Sequence, residues 1–382
     1  MDVTFFDYIG VADMERIHSS TIAWIVSDSC KALSVASRTK ILNTLFGTEK
    51  NNIKSIETTT EFKHIDIAFK TIDSEGEQWW FLENKIKATL GENQLDKYMK
   101  EIEEDTKKDH TKQNANCAIL SLLGVFPQDK TGNWYLANYR QLKDILKDVC
   151  KDSTEANYDQ LVIIKEYIKC VTNLEEALSE FITNPNKYTR VFSDGDKTKA
   201  KKSSQKEDDK IMSYISKNSL ETLFQKLFFT NILASIKPKN IIDFNRCHVG
   251  ETRGNAYFGF VLGECEKDQK YSFDISFQKG AFKFSVCKEH YPRIQGKTKG
   301  EISIWEKVFN KLKEDNSFSN YTNINKPKSK ARMSISYNIG SNWYEKKNIK
   351  EFSDIVVQQI LIAKQMVEKA TEYRGCIEAK NQ

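Results

Sequence analysis

The spacing of apolar residues near the start of the chain predicts one helix followed by strands. A helix is predicted over residues 13–26, because five positions fall on one of its faces: Met14, Ile17, Thr21, Trp24 and Ile25. Asp13 is its predicted N-cap, since a carboxylate there can accept from the free N–H groups of the first turn. Residues 53–62 follow as a strand rich in β-branched side chains.

Residues 64–72 form the clearest strand of the pattern. Three large apolar side chains fall on one face of this strand, and Asp66 falls on the other. Residues 73–77 (DSEGE) are typical of a turn, which predicts a hairpin between this strand and residues 78–85.

Further elements follow up to residue 183. The pattern predicts a helix over 92–105, a strand covered on both faces over 115–123, and helices over 139–149 and 156–183. The predicted elements follow the order helix, three strands, helix, strand and helices. This is the order of an α/β layered domain, which we place at residues 1–185.

A polar, basic segment interrupts this pattern. Residues 187–206 contain seven Lys and Arg and two Asp, a local charge of +5. We predict an exposed linker or loop over 186–210. A solvated connector is the favoured interpretation, and contact with a phosphate backbone is the alternative.

Residues 211–382 are predicted to form a second, α+β domain. One long amphipathic helix is expected over 211–236, and short strands with alternating aromatic residues over 241–290, beginning with IIDF (241–244). A helix over 301–313, a strand over 331–339 and a helix over 350–371 complete the pattern.

Composition excludes several classes of protein. Apolar residues are 39% of the 382 residues, enough for a large core, and the net charge is only +5. Eight cysteines without a CxxC pair argue against a disulfide scaffold and a structural zinc site. No apolar run approaches the length of a membrane span, and MDVTFFDYIGVADMERIHSS lacks the features of a signal peptide. We therefore expect a cytoplasmic protein with reduced thiols that does not bind membranes.

The segment from Asp66 to Lys85 has the residue types of phosphodiester hydrolysis. If the hairpin forms, Asp66 and Glu83 lie side by side, and Lys85 projects from the same face as Glu83. Adjacent carboxylates repel each other unless a cation neutralises them, and Mg²⁺ needs only one or two protein carboxylates. A nearby lysine can then assist an attacking water and offset charge on the phosphate.

The triplet ENK (83–85) has no value by itself. Acid-x-base triplets are expected about eight times by chance, given 53 acidic and 58 basic residues. Its meaning comes from the apolar strand before it and from the second strand with a central Asp66. The alternative is an ordinary hairpin with an exposed acid and lysine at its end, which does not explain Asp66 in so apolar a strand.

The ordered motifs HIDIAF, FLENKI and NQLDKYMKEI, after an opening MERIHSSTIAWIV, resemble the PD-(D/E)XK nuclease superfamily over about residues 10 to 150. The resemblance implies a restriction-endonuclease-like mixed central sheet flanked by helices. It implies that Asp66 and Glu83 bind metal and that Lys85 is the catalytic lysine. Two departures are His64, where an Arg is common, and the absence of the proline of the superfamily's name.

The resemblance also assigns three helix residues. Gln94 and Tyr98 match a QxxxY motif, in which Gln94 orients substrate or water, and they are neighbours on a helix at i, i+4 spacing. Glu15 matches an opening-helix acid that approaches the metal, through water. Without the resemblance, Tyr98 would be interpreted as a half-buried aromatic residue and Glu15 as an exposed helical acid. His18 is predicted to be a hydrogen-bonded helix residue, since no second His lies at ligand spacing.

Two basic groups are candidates for substrate binding in the second domain. Lys326, Lys328, Lys330 and Arg332 alternate through NKPKSKAR, and Lys283, Lys288, His290 and Arg293 lie in and after an aromatic strand. Basic residues interleaved with aromatic ones suit a nucleic-acid backbone. An edge strand protected by lysines is an equally favoured interpretation.

The sequence thus predicts a Mg²⁺-dependent nuclease, with Mn²⁺ as a substitute. DNA is favoured over RNA as substrate, and the resemblance points to an endonuclease of restriction, phage defence or repair. Many endonucleases pair to cut both strands, so a homodimer is among the expected states. The alternative is a non-catalytic nucleic-acid-binding or regulatory protein on a nuclease-like scaffold.

Overall fold

The computed structural model describes most of the chain and divides it into two compact units. The described residues are 1–87, 94–106, 115–123, 132–152, 157–192, 210–252, 254–265, 271–288, 298–325, 332–340, 342–345 and 348–379. Unit 1 comprises Met1–Asn184 with Ser203–Leu223, and unit 2 comprises Pro185–Lys202 with Phe224–Gln382. The domain limits inferred from sequence stay a prediction. Across the described ranges, none of the helices combines the length and apolarity that crossing a bilayer demands.

Unit 1 contains a mixed sheet flanked by helices. Its elements are α1 (Phe5–Tyr8), α2 (Glu15–Val26), α3 (Val35–Phe46), β1 (Ser55–Phe62), β2 (Ile65–Ile72), β3 (Glu77–Lys85), α4 (Gln94–Thr106), β4 (Asn116–Ser121), β5 (Tyr135–Asn138), α5 (Tyr139–Val149), α6 (Tyr158–Thr183) and α7 (Lys210–Lys217). The strand order is β1-β2-β3-β4-β5. The first three strands are antiparallel, whereas β3, β4 and β5 are parallel. The predicted α/β layered arrangement is confirmed.

The predicted cap of α2 is wrong. The N-cap is Met14, which makes no side-chain capping bond. The Asp13 carboxylate instead forms an ion pair with Lys87, just after β3. The first turn of α2 is thereby tied to the end of the central strand.

Helix α3 was not predicted from the sequence. It begins after Ser34, whose hydroxyl accepts from the backbone N–H of Ser37, and it ends at Gly47. Gly47 has a φ of 61°, and a Cβ there would lie 2.4 Å from the Tyr135 ring, so only glycine fits. Strand β5, which contains Tyr135, was also missed.

Turn chemistry sets the register of the central hairpins. Lys63 and His64 have φ values of 50° and 69°, as a two-residue loop between β1 and β2 requires. In the turn to β3, Asp73 Oδ1 accepts from the backbone N–H of Gly76 at 3.1 Å. The resulting register pairs Ile67 with Leu82, which confirms the predicted hairpin.

The two faces of the sheet are covered by different helices. Phe69 and Trp80 lie against Phe46 of α3 on one face, at ring distances of 6.1 and 5.2 Å. Another core cluster contains residues of β2, β3, β4 and α4 and the residue before β5: Ile65, Ala68, Phe81, Leu95, Tyr98, Ile102, Ile119 and Trp134. Asp66 and Glu83 lie on this second face, next to Ala68 and Phe81 and nearer the end of the sheet.

Unit 2 is built on an antiparallel sheet. Its elements are α8 (Glu221–Ile236, which begins in unit 1), β6 (Cys247–Thr252), β7 (Asn255–Cys265), β8 (Tyr271–Gln278), β9 (Ala281–Lys288), α9 (Thr298–Glu314), β10 (Asn323–Asn325), β11 (Arg332–Asn338) and α10 (Ile349–Ala379). The strand order is β10-β11-β9-β8-β7-β6. The predicted second α+β region is confirmed.

Two expectations for this half of the chain are wrong. The single helix over 211–236 is divided into α7 and α8, because Ser219 has a φ of 53° that a helix cannot accommodate. IIDF is not a strand, since Phe244 begins a 3₁₀ turn. The predicted linker stays a prediction: its residues up to Phe192 form a 3₁₀ segment in which Tyr188 and Val191 are buried, and residues 193–209 lie outside the described residues.

Candidate active site

Asp66 and Glu83 occupy facing positions on the two central antiparallel strands. Continuing the register beyond the Ile67–Leu82 pair places Asp66 of β2 opposite Glu83 of β3. The backbone N–H of Asn84 donates to Asp66 Oδ2 at 2.7 Å, which confirms that the two strand ends lie together. The hairpin therefore brings two acidic side chains to the same end of the sheet.

Lys85 lies on the same face of β3 as Glu83, as the two-residue period requires. Its Nζ lies 2.7 Å from Glu83 Oε1. The other oxygen of Glu83, Oε2, is buried and has no hydrogen-bond partner, and the residue is only 2% exposed. A buried carboxylate oxygen without a partner is costly unless a cation or water satisfies it.

The pKa values of the two carboxyl groups are shifted upward. Burial, reinforced by the nearby Asp66, raises the pKa of Glu83 to about 7, although Lys85 opposes the shift. Burial also raises the pKa of Asp66, while the Asn84 N–H and the charge of Lys85 lower it. Burial and mutual repulsion oppose the ionisation of both acids at once. A divalent cation between them would stabilise both as carboxylates.

Lys85 stays protonated in this environment. Burial by itself lowers the pKa of Lys85, but the charge and hydrogen bond of Glu83, together with the charges of Glu15 and Asp66, raise it more, so that the net pKa lies above the ordinary value. The lysine therefore acts as a fixed positive charge beside Glu83.

Gln94 and Tyr98 reach the same site from α4. Gln94 Nε2 donates to Glu83 Oε1 at 2.8 Å and to the Tyr98 hydroxyl at 2.6 Å. The Tyr98 hydroxyl donates to the backbone carbonyl of His64 at 2.9 Å. Burial raises the pKa of Tyr98, which is 6% exposed and packs in the core cluster. The structure thus brings the QxxxY pair onto Glu83.

Asn84 is the site residue that sequence reasoning missed. Its Nδ2 donates to the Glu15 carbonyl at 3.2 Å and to Ser19 Oγ at 3.1 Å, and the Tyr139 hydroxyl donates to its Oδ1 at 2.6 Å. The residue is fully buried. The sequence did indicate a role for Asn84, because the two-residue strand period places it on the apolar face of Trp80 and Leu82, where a polar side chain needs hydrogen-bond partners.

His18 lies behind this network and is not at the acidic pair. Its Nδ1 lies 3.0 Å from the Tyr167 hydroxyl, and its Nε2 lies 2.9 Å from the Ala12 carbonyl. Burial lowers the pKa of His18 to about 4, so the ring is neutral near pH 7. The prediction that His18 is a hydrogen-bonded helix residue is confirmed.

Glu15 meets the end of β3 through its side chain. Its Oε1 accepts from the backbone N–H of Ile86 at 2.9 Å and from that of Lys87 at 3.0 Å. Glu15 therefore lies against the main chain that follows Lys85. Its predicted contact with metal through water stays a prediction.

The basic candidates are located only in part. Lys326, Lys328 and Lys330 lie outside the described residues, as do His290 and Arg293. Arg332 begins β11, and its backbone pairs with Cys287 of β9. Lys283, in β9, pairs with Ser276 of β8 and is partly exposed.

The acidic pair fits a hard divalent cation. Within the described ranges, no group of three or more His, Cys, Asp and Glu side chains is arranged to hold a metal ion. Asp66 and Glu83 form a pair, and Mg²⁺ needs only one or two carboxylates because substrate phosphate and water complete its shell. The unpartnered Oε2 of Glu83 provides an oxygen for such an ion.

Comparison with known proteins agrees with this geometry. Residues 3–169 match the family model of the PD-(D/E)XK nuclease superfamily. This part of the chain, which contains the mixed sheet and the acidic pair, is therefore similar to that superfamily, and its mixed sheet flanked by helices is consistent with a restriction-endonuclease-like fold. Searches of curated proteins and of solved structures found no match.

Proposed function

We propose that this protein is a divalent-metal-dependent nuclease that hydrolyses phosphodiester bonds. The observation that carries the proposal is the grouping of Glu83 with Lys85 at 2.7 Å, opposite Asp66. Mg²⁺ is the proposed cofactor, with Mn²⁺ as a substitute, and the proposed substrate is DNA rather than RNA. An endonuclease of restriction, phage defence or repair is the setting that the superfamily suggests.

The side chains have separate roles in this proposal. Asp66 and Glu83 would hold the cation, which supplies positive charge to the phosphate and lowers the pKa of a coordinated water. Lys85 would stabilise negative charge on the phosphate, since its pKa is held above the ordinary value. Gln94 donates to Glu83, so it would orient that carboxylate as well as water or substrate.

The charges of the two units support a substrate-binding role for unit 2. Unit 1 has 25 Lys and Arg against 34 Asp and Glu, a net charge of −9, whereas unit 2 has 33 against 19, a net charge of +14. Nucleic acid is a polyanion that an acidic unit repels and a basic unit attracts. We propose that Lys326, Lys328, Lys330 and Arg332 contribute to this attraction, and that Tyr98 assists at the phosphate.

Two substitutions with matched controls test the proposal. We expect purified protein to cut DNA with Mg²⁺ or Mn²⁺, and Asp66→Ala and Lys85→Ala to lower the rate at least about a hundredfold. Glu77→Ala and Lys70→Ala are the controls, because these residues form an ion pair of 2.6 Å at the other end of the same strands. We expect the controls to cut at nearly the rate of the unmodified chain.

The same assay tests the alternative function. A chain that binds DNA or RNA but cuts no form of either, with either metal, would support a non-catalytic binding protein. Cutting that survives both site substitutions would contradict the proposed site.

A further inference from the structure

The first turn of α2 and the end of β3 are joined by several hydrogen bonds. Glu15 Oε1 accepts from the backbone N–H groups of Ile86 and Lys87 at 2.9 and 3.0 Å. The Glu15 carbonyl accepts from Asn84 Nδ2 at 3.2 Å. One helical residue therefore binds the chain on both sides of Lys85.

This geometry fixes the direction in which Lys85 leaves the strand. The Lys85 carbonyl accepts from the backbone N–H of Leu122 at 2.9 Å, so the peptide after Lys85 is held from β4 as well. With residues 84, 86 and 87 bound to Glu15, the Lys85 backbone has little freedom to turn. Its Nζ is then presented to Glu83 at 2.7 Å.

The two hydrogen bonds also limit the capacity of Glu15 Oε1 to bind a cation. A carboxylate oxygen has two lone-pair directions, and two backbone N–H donors occupy both of them. Such charge-assisted bonds are short and strong, so Glu15 Oε1 is committed to the backbone and leaves only Oε2 of this carboxylate for other contacts. By contrast, Glu83 Oε2 is buried with no hydrogen-bond partner.

We propose that Glu15 is a positioning residue, which holds the backbone around Lys85 through two N–H bonds to Oε1, and that the metal does not need Glu15 as a ligand. This inference rests on the proposed nuclease function for the role of Lys85. The positioning itself concerns the metal-free protein and can be tested without cleavage.

Two substitutions separate positioning from metal binding. Glu15→Gln keeps an oxygen that can accept both N–H bonds and removes the charge that a metal ligand needs. Glu15→Ala removes the acceptor. Asp66→Asn is the reference for a lost metal ligand, and Glu57→Ala is the control, because Glu57 is an exposed acid on β1.

The first measurement is the unfolding temperature of the full chain in EDTA. We expect Glu15→Ala to lower it by about 3–8 °C, from the loss of two bonds to a charged group. Glu15→Gln and Glu57→Ala should stay within about 2 °C of the unmodified chain. An unchanged unfolding temperature in Glu15→Ala would overturn the proposal.

The second measurement is Mn²⁺ binding by titration calorimetry. Glu15→Gln should bind Mn²⁺ within about threefold of the unmodified chain, whereas Asp66→Asn should bind at least about tenfold more weakly. In cleavage, Glu15→Ala should lower kcat with little change in KM, and Glu15→Gln should restore most of it. A loss of Mn²⁺ binding in Glu15→Gln equal to that of Asp66→Asn would overturn the proposal.

The two hypotheses fail differently. If the unmodified chain binds no Mn²⁺ and cuts nothing, the nuclease proposal fails, and the unfolding temperatures still decide whether Glu15 holds the backbone. If the chain binds Mn²⁺ and cuts, but Glu15→Gln is as unstable as Glu15→Ala, only the positioning role is overturned.

Discussion

The backbone N–H of Asn84 donates to Oδ2 of Asp66 at 2.7 Å, across the two central strands. The side chain of Asn84 is itself held by Ser19 and Tyr139. The orientation of one acidic side chain at the site therefore depends on a buried polar network that begins in the opening helix.

The first prediction concerns this network. Asn84→Ala should lower the free energy of unfolding by about 2–4 kcal/mol, because it leaves the buried Tyr139 hydroxyl and Ser19 hydroxyl short of a partner. Tyr139→Phe should cost about 1–2 kcal/mol, since it removes one of those bonds. Urea unfolding measures both. Asn51→Ala, at an exposed position, is the control, and equal stability of all three variants would contradict the network.

The second prediction is a dependence of stability on pH in metal-free protein. The pKa of Glu83 is raised from 4.5 to about 7 by burial and by Asp66, so the folded state binds this proton more tightly than the unfolded state. The contribution of Glu83 to stability is then fully present below pH 4.5 and is lost as the pH rises through about 7, by at most about 3 kcal/mol.

Urea unfolding in EDTA at pH 5 and pH 8 measures that dependence. Glu83→Gln should remove most of the difference between the two pH values, whereas Glu77→Gln, at the exposed end of β3, should keep it. An identical difference in all three proteins would show that Glu83 ionises normally in the folded state.

The third prediction is that metal binding releases protons. A cation that binds Glu83 favours its carboxylate, and near pH 6 much of this group is protonated because burial raises its pKa to about 7. The binding enthalpy of Mn²⁺ at pH 6 should therefore depend on the ionisation enthalpy of the buffer. The dependence should weaken at pH 8, and an enthalpy that is the same in all buffers at pH 6 would contradict the shift.

The fourth prediction separates Gln94 from Tyr98. Tyr98→Phe keeps the packed ring and removes the bond to the His64 carbonyl, so we expect a loss of about 1 kcal/mol in stability. Gln94→Ala should leave stability nearly unchanged and lower cleavage about tenfold, because Gln94 orients Glu83. Unfolding and cleavage assays on both variants check this prediction. Full activity of the Gln94→Ala chain would show that Gln94 has no role in cleavage.

The fifth prediction concerns the basic segment of unit 2. Neutralising Lys326, Lys328 and Lys330 together should weaken DNA binding and reduce the slope of log K against log salt by about 2–3. Neutralising Lys350, Lys364 and Lys369 of α10 is the matched control for net charge. Equal losses in both triple variants would mean that only the total charge of unit 2 matters.

Strands β2 and β3 of unit 1 were predictable because their two faces are distinct. Period-2 alternation placed Asp66, Glu83 and Lys85 correctly, since the register of the hairpin depends on local turn residues. The sequence could not reveal the second oxygen of Glu83 without a partner, nor the bonds of Gln94 to Glu83, because both depend on how α4 packs on the sheet.

Helix α3 was missed for a physical reason. Three polar residues of this helix, Ser37, Arg38 and Thr39, are buried, so its apolar stripe is interrupted. Arg38 is accommodated because it donates to the Ser27 carbonyl at 2.5 Å and pairs with Asp28 at 2.8 Å. These partners lie outside the helix, so the periodicity of its sequence cannot indicate them.

Tyr214 and Ile215 of α7 are buried in unit 1, where α7 packs against α6, although the chain leaves this unit at Asn184 and returns at Ser203. During synthesis, unit 1 therefore cannot finish folding as soon as its sheet has emerged from the ribosome. Folding of unit 1 is complete only after residues up to 223 have been translated, so a nascent chain released early would lack part of the core and would be less stable.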